Sequence, residues 1–304
     1  MDGNVNASDR KTVFAAIIGR PNVGKSTLLN SLVGEKISIV TNKPQTTRSR
    51  VTGILTKDDT QFVFLDTPGL HKPKDRLGSY MMKSADSALE DTDVIIWVVP
   101  TATRPGNQEE RIAEKLKKLE KPVILVINKT DGESAVAIGD TILAYSPLLG
   151  FDSVVPCSAL TGRGTGIVLD ELKKHAQPGG WVFEEDMMTD SSQRSIAGEM
   201  IREKLLRTLN DEIPHGIAVT VEEFREKNGV ISIRAEIVCE KASHKPIIIG
   251  KGGAAIKKVG TFAREDMEKL FGCRVYLDLY VRVKEGWRDG NLSNYGFDDA
   301  NGNG

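Results

Sequence analysis

Between residues 13 and about 175, short apolar runs alternate with stretches in which apolar positions recur every three or four residues. The runs Val13–Ile18, Gln61–Asp66, Val94–Val99, Val123–Asn128 and Ser153–Cys157 predict short buried strands, and Lys25–Val33 and Arg76–Glu90 predict helices between them. That alternation predicts an α/β fold, a mostly parallel sheet with helices on its faces. A further run at Arg50–Thr56 predicts a hairpin partner for the strand at 61–66, with residues 57–60 as the turn. Such a sheet places ligands at the carboxyl ends of its strands.

The pattern breaks at Gln177-Pro178-Gly179-Gly180, and the acidic, aperiodic stretch after it reads as a linker. A helix is predicted from Ser192 to Leu209, with Ile196, Met200, Ile201, Leu205 and Leu209 on one face, stopping near Ile213-Pro214. Strict alternation at Ile231, Ile233, Ala235, Ile237 and Cys239, and again from Val275 to Val283, predicts two half-buried strands. With a shorter strand at Ala218–Phe224 and a helix at Ala254–Phe271, these form a smaller α+β unit. The division is therefore a flexible N-terminus at 1–10, an α/β domain at 11–177, a linker at 178–191, an α+β domain at 192–286 and a disordered Gly/Asn/Asp-rich tail at 287–304.

A length of 304 residues fits two domains, and 41 basic against 42 acidic side chains leave a net charge of −1. Any affinity for nucleic acid must then come from a local patch. Cys157, Cys239 and Cys273 form no CxxC, and the four histidines lack metal-ligand spacing, so neither a disulfide framework nor a zinc site is implied. The longest apolar run, Val94–Val99, is far short of the roughly 18 residues of a membrane span. The first ten residues hold Asp2 and Asp9 and no apolar core, so no signal peptide is expected.

The candidate chemistry sits at strand ends. Gly19-Arg20-Pro21-Asn22-Val23-Gly24-Lys25-Ser26, after the first strand, is a phosphate cradle whose backbone N–H groups close around an anionic chain. Gly19, Asn22, Val23, Gly24, Lys25, Ser26 and Thr27 are the candidate contacts, with Lys25 on the outer phosphates and Ser26 on magnesium. At the end of the next clear strand, Asp66-Thr67-Pro68-Gly69 offers a carboxylate for magnesium and a glycine N–H for the terminal phosphate. Asn128-Lys129-Thr130-Asp131 follows the strand at 123–128. The Asp131 carboxylate can accept from N1 and N2 of guanine, which adenine cannot supply, so GTP is expected over ATP. Asn128 would tie loops together, the Lys129 stem would lie over the base, and Ser158 and Ala159 would meet the guanine oxygen. The polar loop Thr41–Arg48 is a candidate for ordering around a γ-phosphate and magnesium. Thr47 is the favoured ligand there, with Thr46 the alternative. The stretch Leu70–Lys74 would be a second switch. Lys25, Thr47 and Gly69 are the residues expected to act in catalysis.

These motifs, in this order, resemble the Ras-like GTPases, and Pro21-Asn22 in the cradle with Thr46-Thr47-Arg48 is similar to the bacterial Era branch. The resemblance implies hydrolysis of GTP to GDP and phosphate with Mg2+. Leu70 stands where Ras-like proteins commonly carry a water-orienting glutamine, which implies slow intrinsic turnover. Potassium held by Asn22 is one way of positioning the water known among related GTPases.

In the second domain, Gly250-Lys251-Gly252-Gly253 is a GxxG loop between two helices, where an RNA backbone could come close. Residues 241–284 hold ten basic side chains (Lys241, Lys245, Lys251, Lys257, Lys258, Arg264, Lys269, Arg274, Arg282, Lys284) against four acidic ones (Glu265, Asp266, Glu268, Asp278). Lys251, Lys257 and Lys258 are the nearest basic candidates for RNA. The unit resembles the KH domain of the Era branch, and the resemblance then covers about Lys11 to Arg288. It implies binding to 16S rRNA and the 30S subunit during small-subunit maturation, in the cytoplasm, with peripheral association at the inner membrane. A monomer is expected. Two other readings stay open: a non-hydrolytic GDP/GTP-sensing RNA-binding module, and a metabolic P-loop kinase.

Overall fold

The computed structural model describes residues 9–43, 45–70, 73, 75–101, 104–209 and 216–297. The described residues form two compact units. The first is built on a seven-stranded sheet: β1 (Lys11–Ile18), β2 (Val51–Lys57), β3 (Thr60–Asp66), β4 (Val94–Pro100), β5 (Val123–Asn128), β6 (Ser153–Pro156) and the two-residue β7 (Gln177–Pro178). The order is β2-β3-β1-β4-β5-β6, with β7 on the start of β1. β1, β3, β4, β5 and β6 are parallel, and β2 forms the expected hairpin with β3. Helices α1 (Lys25–Val33), α2 (Arg76–Glu90), α3 (Asn107–Leu119), α4 (Ala135–Tyr145) and α5 (Thr165–Lys173) alternate with the strands.

The continuous apolar runs have a simple cause: both faces of the sheet are covered. On β4, Ile96 and Val98 pack in one cluster with Leu28 and Leu29 of α1 and Val168 and Leu172 of α5. The alternate residues Ile95, Trp97 and Val99 pack in another with Ile112 and Leu116 of α3 and Tyr145 of α4. The strand ends are thereby fixed, and with them the loops that carry the motifs.

The stretch expected to be a linker is docked. Gln177 and Pro178 pair antiparallel with Thr12 and Lys11. The fully buried Gln61 accepts from the N–H groups of Val182 and Phe183, each at 2.9 Å, and donates to the Phe183 carbonyl at 3.0 Å. Ile54 N–H reaches the Met188 carbonyl at 2.8 Å, which covers part of the edge of β2. Arg10, assigned to the flexible N-terminus, lies over the Trp181 ring at 4.0 Å. The segment has no internal period because its partners are distant, so it reads locally as a linker. Residues 1–8 lie outside the described ones.

The second unit comprises α6 (Gln193–Thr208), β8 (Ile217–Lys227), β9 (Val230–Cys239), α7 (His244–Ile249), α8 (Ala254–Phe271) and β10 (Arg274–Val283). Its sheet runs β10-β9-β8, with β9 antiparallel to β8 and parallel to β10. β8 is longer than the expected 218–224, and a register shift between Val221 and Glu223 re-aims its outer half. The predicted apolar face of α6 is buried with Ile233, Ile237, Val259 and Met267. The turn at Ile213-Pro214 lies outside the described residues.

Two stretches from the first half of the chain, Ile39–Thr46 and Pro73–Tyr80, group with this unit. Pro73–Tyr80 meets the chain after Trp287, with Arg76 N–H on Asp289 Oδ1 at 3.1 Å and Tyr80 against Phe297, whereas for Ile39–Thr46 the reason is charge on α6. Glu203 is fully buried, and its Oε1 accepts from Val40 N–H at 3.0 Å and from Arg207 at 2.9 Å. Arg202, 2% exposed, donates to the Thr46 carbonyl, and Lys43 Nζ donates to the Leu209 carbonyl at 2.8 Å.

The expected disordered tail also needs correcting, because residues 287–297 form two 3₁₀ turns. Trp287 is 1% exposed, donates to the Gly216 carbonyl at 3.0 Å and lies 5.1 Å from the Tyr295 ring. Arg288 joins Asp75 at 3.1 Å to Glu240 at 2.7 Å. Composition suggested disorder, but one buried tryptophan and this ion triad order the segment; residues 298–304 lie outside the described ones. Trp287→Ala should lower the stability of the second unit by about 3–5 kcal/mol, measured by denaturant unfolding followed with a probe in that unit. An unchanged midpoint would contradict this packing.

Candidate functional site

The cradle follows directly from the β1–β3 pairing. Ile17 is in register with Asp66, so the chain leaving β1 at Ile18 turns beside the carboxylate that ends β3. Asp66 is completely buried. Its Oδ2 accepts from Ser26 Oγ at 2.7 Å, Ser38 Oγ at 3.2 Å and Thr47 Oγ1 at 3.4 Å. Ser26 Oγ and Thr47 Oγ1 are 2.9 Å apart. Asp66 Oδ1 is buried with no hydrogen-bond partner among the described residues. Burial pushes the Asp66 carboxyl above its usual range, against the opposing pull of Lys25. Two hydroxyls and a carboxylate converging with one oxygen unsatisfied form a hard-oxygen donor set of the kind that suits Mg2+.

Lys25 is 7% exposed, and burial lowers its ammonium to about 8, with Asp66 pulling the other way. Its Nζ donates to the carbonyls of Gly19 at 3.2 Å and Arg20 at 3.1 Å, so it lies along the cradle. Thr27 is half-buried in the first turn of α1. Thr46 spends its hydroxyl on the Lys43 carbonyl at 2.6 Å and on Thr41 at 2.7 Å, so of the two candidate threonines it is Thr47 that lies with Ser26 and Asp66. Gly69 closes on the cradle: a Cβ there would stand 2.9 Å from the Pro21 nitrogen, so no larger residue fits unless the loop moves. Leu70 is 9% exposed and belongs to the core on the α3 side of the sheet. His71, Lys72 and Lys74 of the second switch, and Pro44 of the first, lie outside the described residues.

The base-recognition loops are tied together by Asn128. Its Nδ2 donates to the Val23 carbonyl at 2.9 Å and its Oδ1 accepts from Ala159 N–H at 3.0 Å. Lys129, at φ 63, donates through Nζ to the Asn22 carbonyl at 2.8 Å, and Asn22 itself is left-handed at φ 65. Asp131 is exposed and accepts from Ser158 Oγ at 2.7 Å, the hydrogen bond that leads in holding its carboxyl below the usual range. Arg163 braces the loop from the far side, donating to the Thr130 carbonyl at 2.9 Å. Sequence reasoning missed Ser38 and Arg163. Neither belongs to a local pattern, and only the fold brings them to the site.

In the second unit the GxxG loop is a 3₁₀ turn, with Gly250, Gly252 and Gly253 all at positive φ. At Gly252 and Gly253 a Cβ would meet nothing, so the backbone faces open space where L residues would be strained. Gly253 is the N-cap of the 18-residue α8, whose dipole favours a phosphate at this end. Lys251, Lys257 and Lys258 are exposed beside it. A groove of about 290 Å³ runs along α8, lined by Ile256, Lys257, Gly260, Thr261, Arg264, Leu277 and Leu279. An apolar floor with basic rims suits bases stacked below a charged backbone.

Comparison with known proteins agrees with both units. A family described as 50S ribosome-binding GTPase matches residues 14–129, and the KH domain family matches residues 212–288. The GTPase Era of Clostridium botulinum (strain Loch Maree) is 46% identical over 280 residues, 92% of this chain and 95% of that protein. The chain belongs to the Era family of GTPases. The GTPase Era of Ruminiclostridium cellulolyticum is likewise 46% identical, over 92% of this chain and 94% of that one. Among solved structures, Era in complex with MgGDPNP and nucleotides 1506–1542 of 16S ribosomal RNA superposes with a TM-score of 0.91, at 38% identity, covering 95% of this chain and 99% of that one. A variant of Aquifex aeolicus Era bound to GDP·AlF4− gives the same score and identity, over 94% and 99%. As a member of the Era family, the chain is a GTPase with a C-terminal KH domain. Asp131→Asn should weaken GTP binding on the order of 100-fold, because it removes the charge and sets an amide NH2 donor in place of one of the two acceptors for the guanine N–H groups. Titration with fluorescent guanine and adenine nucleotides checks this, and undiminished guanine preference would contradict the assignment.

Proposed function

We propose that this chain hydrolyses GTP at the site formed by the cradle, Asp66 and the 128–131 loop, and uses its KH unit to bind the 3′-terminal part of 16S rRNA during maturation of the small ribosomal subunit. The observation that carries the nucleotide half is the buried Asp66 carboxylate, gathered with Ser26 and Thr47 and holding one unsatisfied oxygen. Ser26 and Thr47 would hold Mg2+ with Asp66 behind them, and the ion would neutralise charge on the phosphates. Lys25 would take the outer phosphates, Gly69 N–H the terminal one, and Asp131 the guanine edge. Leu70 lies in the core and carries no polar group, so its side chain orients no water and intrinsic turnover should be slow. The RNA half is supported by the open GxxG backbone, the helix end behind it and the groove beside it.

Two substitutions separate the halves. Lys25→Ala should abolish nucleotide binding while the fold and the RNA surface persist. Gly252→Asp should weaken binding to an oligonucleotide from the 3′ end of 16S rRNA at least tenfold, because a carboxylate would face the phosphates, and should leave intrinsic GTP hydrolysis unchanged. RNA binding of the parent chain should fall steeply with added salt. Filter binding and single-turnover hydrolysis measure both activities. Loss of both in either variant, or RNA binding indifferent to Gly252→Asp, would count against the reading.

A further inference from the structure

The loop that carries Gly69 is held from α3. Leu70 is tied at three points: its side chain packs with Ala85, Leu89, Trp97 and Ile112, its N–H lies 3.4 Å from the Gly19 carbonyl, and its own carbonyl accepts a hydrogen bond from the side-chain amide of Gln108. Gln108 is the second residue of α3. The next residue, Glu109, is 3% exposed; its Oε2 accepts from Gly106 N–H at 3.1 Å and so caps the helix. Its Oε1 stands 3.4 Å from the guanidinium of Arg20 in the cradle. One helical turn thus reaches both walls of the phosphate site: Glu109 stands beside Arg20 of the cradle, with no hydrogen bond at its Oε1 among the described residues, and Gln108 holds the carbonyl of Leu70, the residue after Gly69. The close fit of Gly69 against Pro21 leaves the chain just before Leu70 little room on the cradle side.

We propose that Gln108 is a positioning residue for GTP hydrolysis: by holding the Leu70 carbonyl it sets where the Gly69 N–H meets the terminal phosphate. In a chain whose Leu70 side chain can orient no water, backbone placement carries more of the transition-state geometry, and Gln108 is the side chain that fixes it from outside the motif. The effect should fall on the terminal phosphate and not on the guanine or the inner phosphates. The inference rests on the nucleotide site proposed above.

The test uses the full chain with Gln108→Met, which keeps length but removes the donor, and Gln108→Lys, which keeps a donor. Single-turnover GTP hydrolysis, GDP affinity and melting temperature are read for each. The methionine variant should hydrolyse about three- to tenfold more slowly, the worth of one hydrogen bond. Its GDP affinity should stay within about twofold and the lysine should recover most of the rate, because GDP lacks the phosphate concerned. Hydrolysis at the parent rate in the methionine variant would overturn the proposal. So would parallel loss of GDP affinity, rate and melting temperature in both variants, which marks a strut of the fold. Failure of the parent chain to bind GTP would instead overturn the reading of the site itself.

Discussion

The phosphate end of the nucleotide site depends on a carboxylate that the fold removes from water. Asp66 ends β3 with no exposed surface, and burying such a charge is costly unless it is paired and hydrogen-bonded. Three hydroxyls and the nearby ammonium of Lys25 offset part of that cost, yet both charged groups are shifted toward their neutral forms, with burial as the leading cause in each case. The compensation is incomplete by one oxygen. A site arranged in this way favours a cation at Asp66 Oδ1 and an anion along Lys25, which is the charge pattern of a metal–phosphate complex.

The neighbouring chain is organised around the same point. Ser26 is the second residue of α1, Ser38 lies after that helix, and Thr47 comes from the polar loop, so three separate segments are anchored on one carboxylate. The residues preceding Thr47 are anchored elsewhere, with the Val40 N–H and the Thr46 carbonyl on Glu203 and Arg202 of α6. The peptide bond between Thr46 and Thr47 therefore joins a segment held by the second unit to a residue held by the Asp66 cluster. A buried charge is costly unless paired and hydrogen-bonded, and here Arg202 pairs with Glu199 and Glu203 with Arg207 while each also bonds the backbone of that loop.

Much of this was legible in the sequence, for physical reasons. Strands covered on both faces leave uninterrupted apolar runs, so β1, β3, β4 and β5 could be placed closely from Val13, Gln61, Val94 and Val123. Motifs at strand ends carry their chemistry in consecutive residues, which is why Lys25, Asp66 and Asp131 could be named. Structure that depends on distant partners was not legible. The stretch after Gly180 looks like a linker until Gln61 supplies its hydrogen bonds, and the segment after Trp287 looks disordered until Gly216 and Asp75 are beside it. The charges at Arg202, Glu203 and Lys204 were visible on a helix with a clear apolar face, but nothing local said that they are buried. Gln108 belongs to the same class: an ordinary polar residue at a helix start, given meaning only by the Leu70 carbonyl.

The central claim, that Asp66 serves a metal on a triphosphate, can be tested directly. The parent chain and Asp66→Asn would be titrated with a non-hydrolysable GTP analogue, with and without Mg2+, and melted without nucleotide. The account predicts a magnesium-dependent affinity in the parent that falls on the order of 10- to 100-fold in the variant, with a melting transition that shows the variant is folded, so that the loss is read at the metal and not as unfolding. A variant that keeps the full magnesium-dependent affinity, or a parent whose affinity does not respond to magnesium, would contradict it.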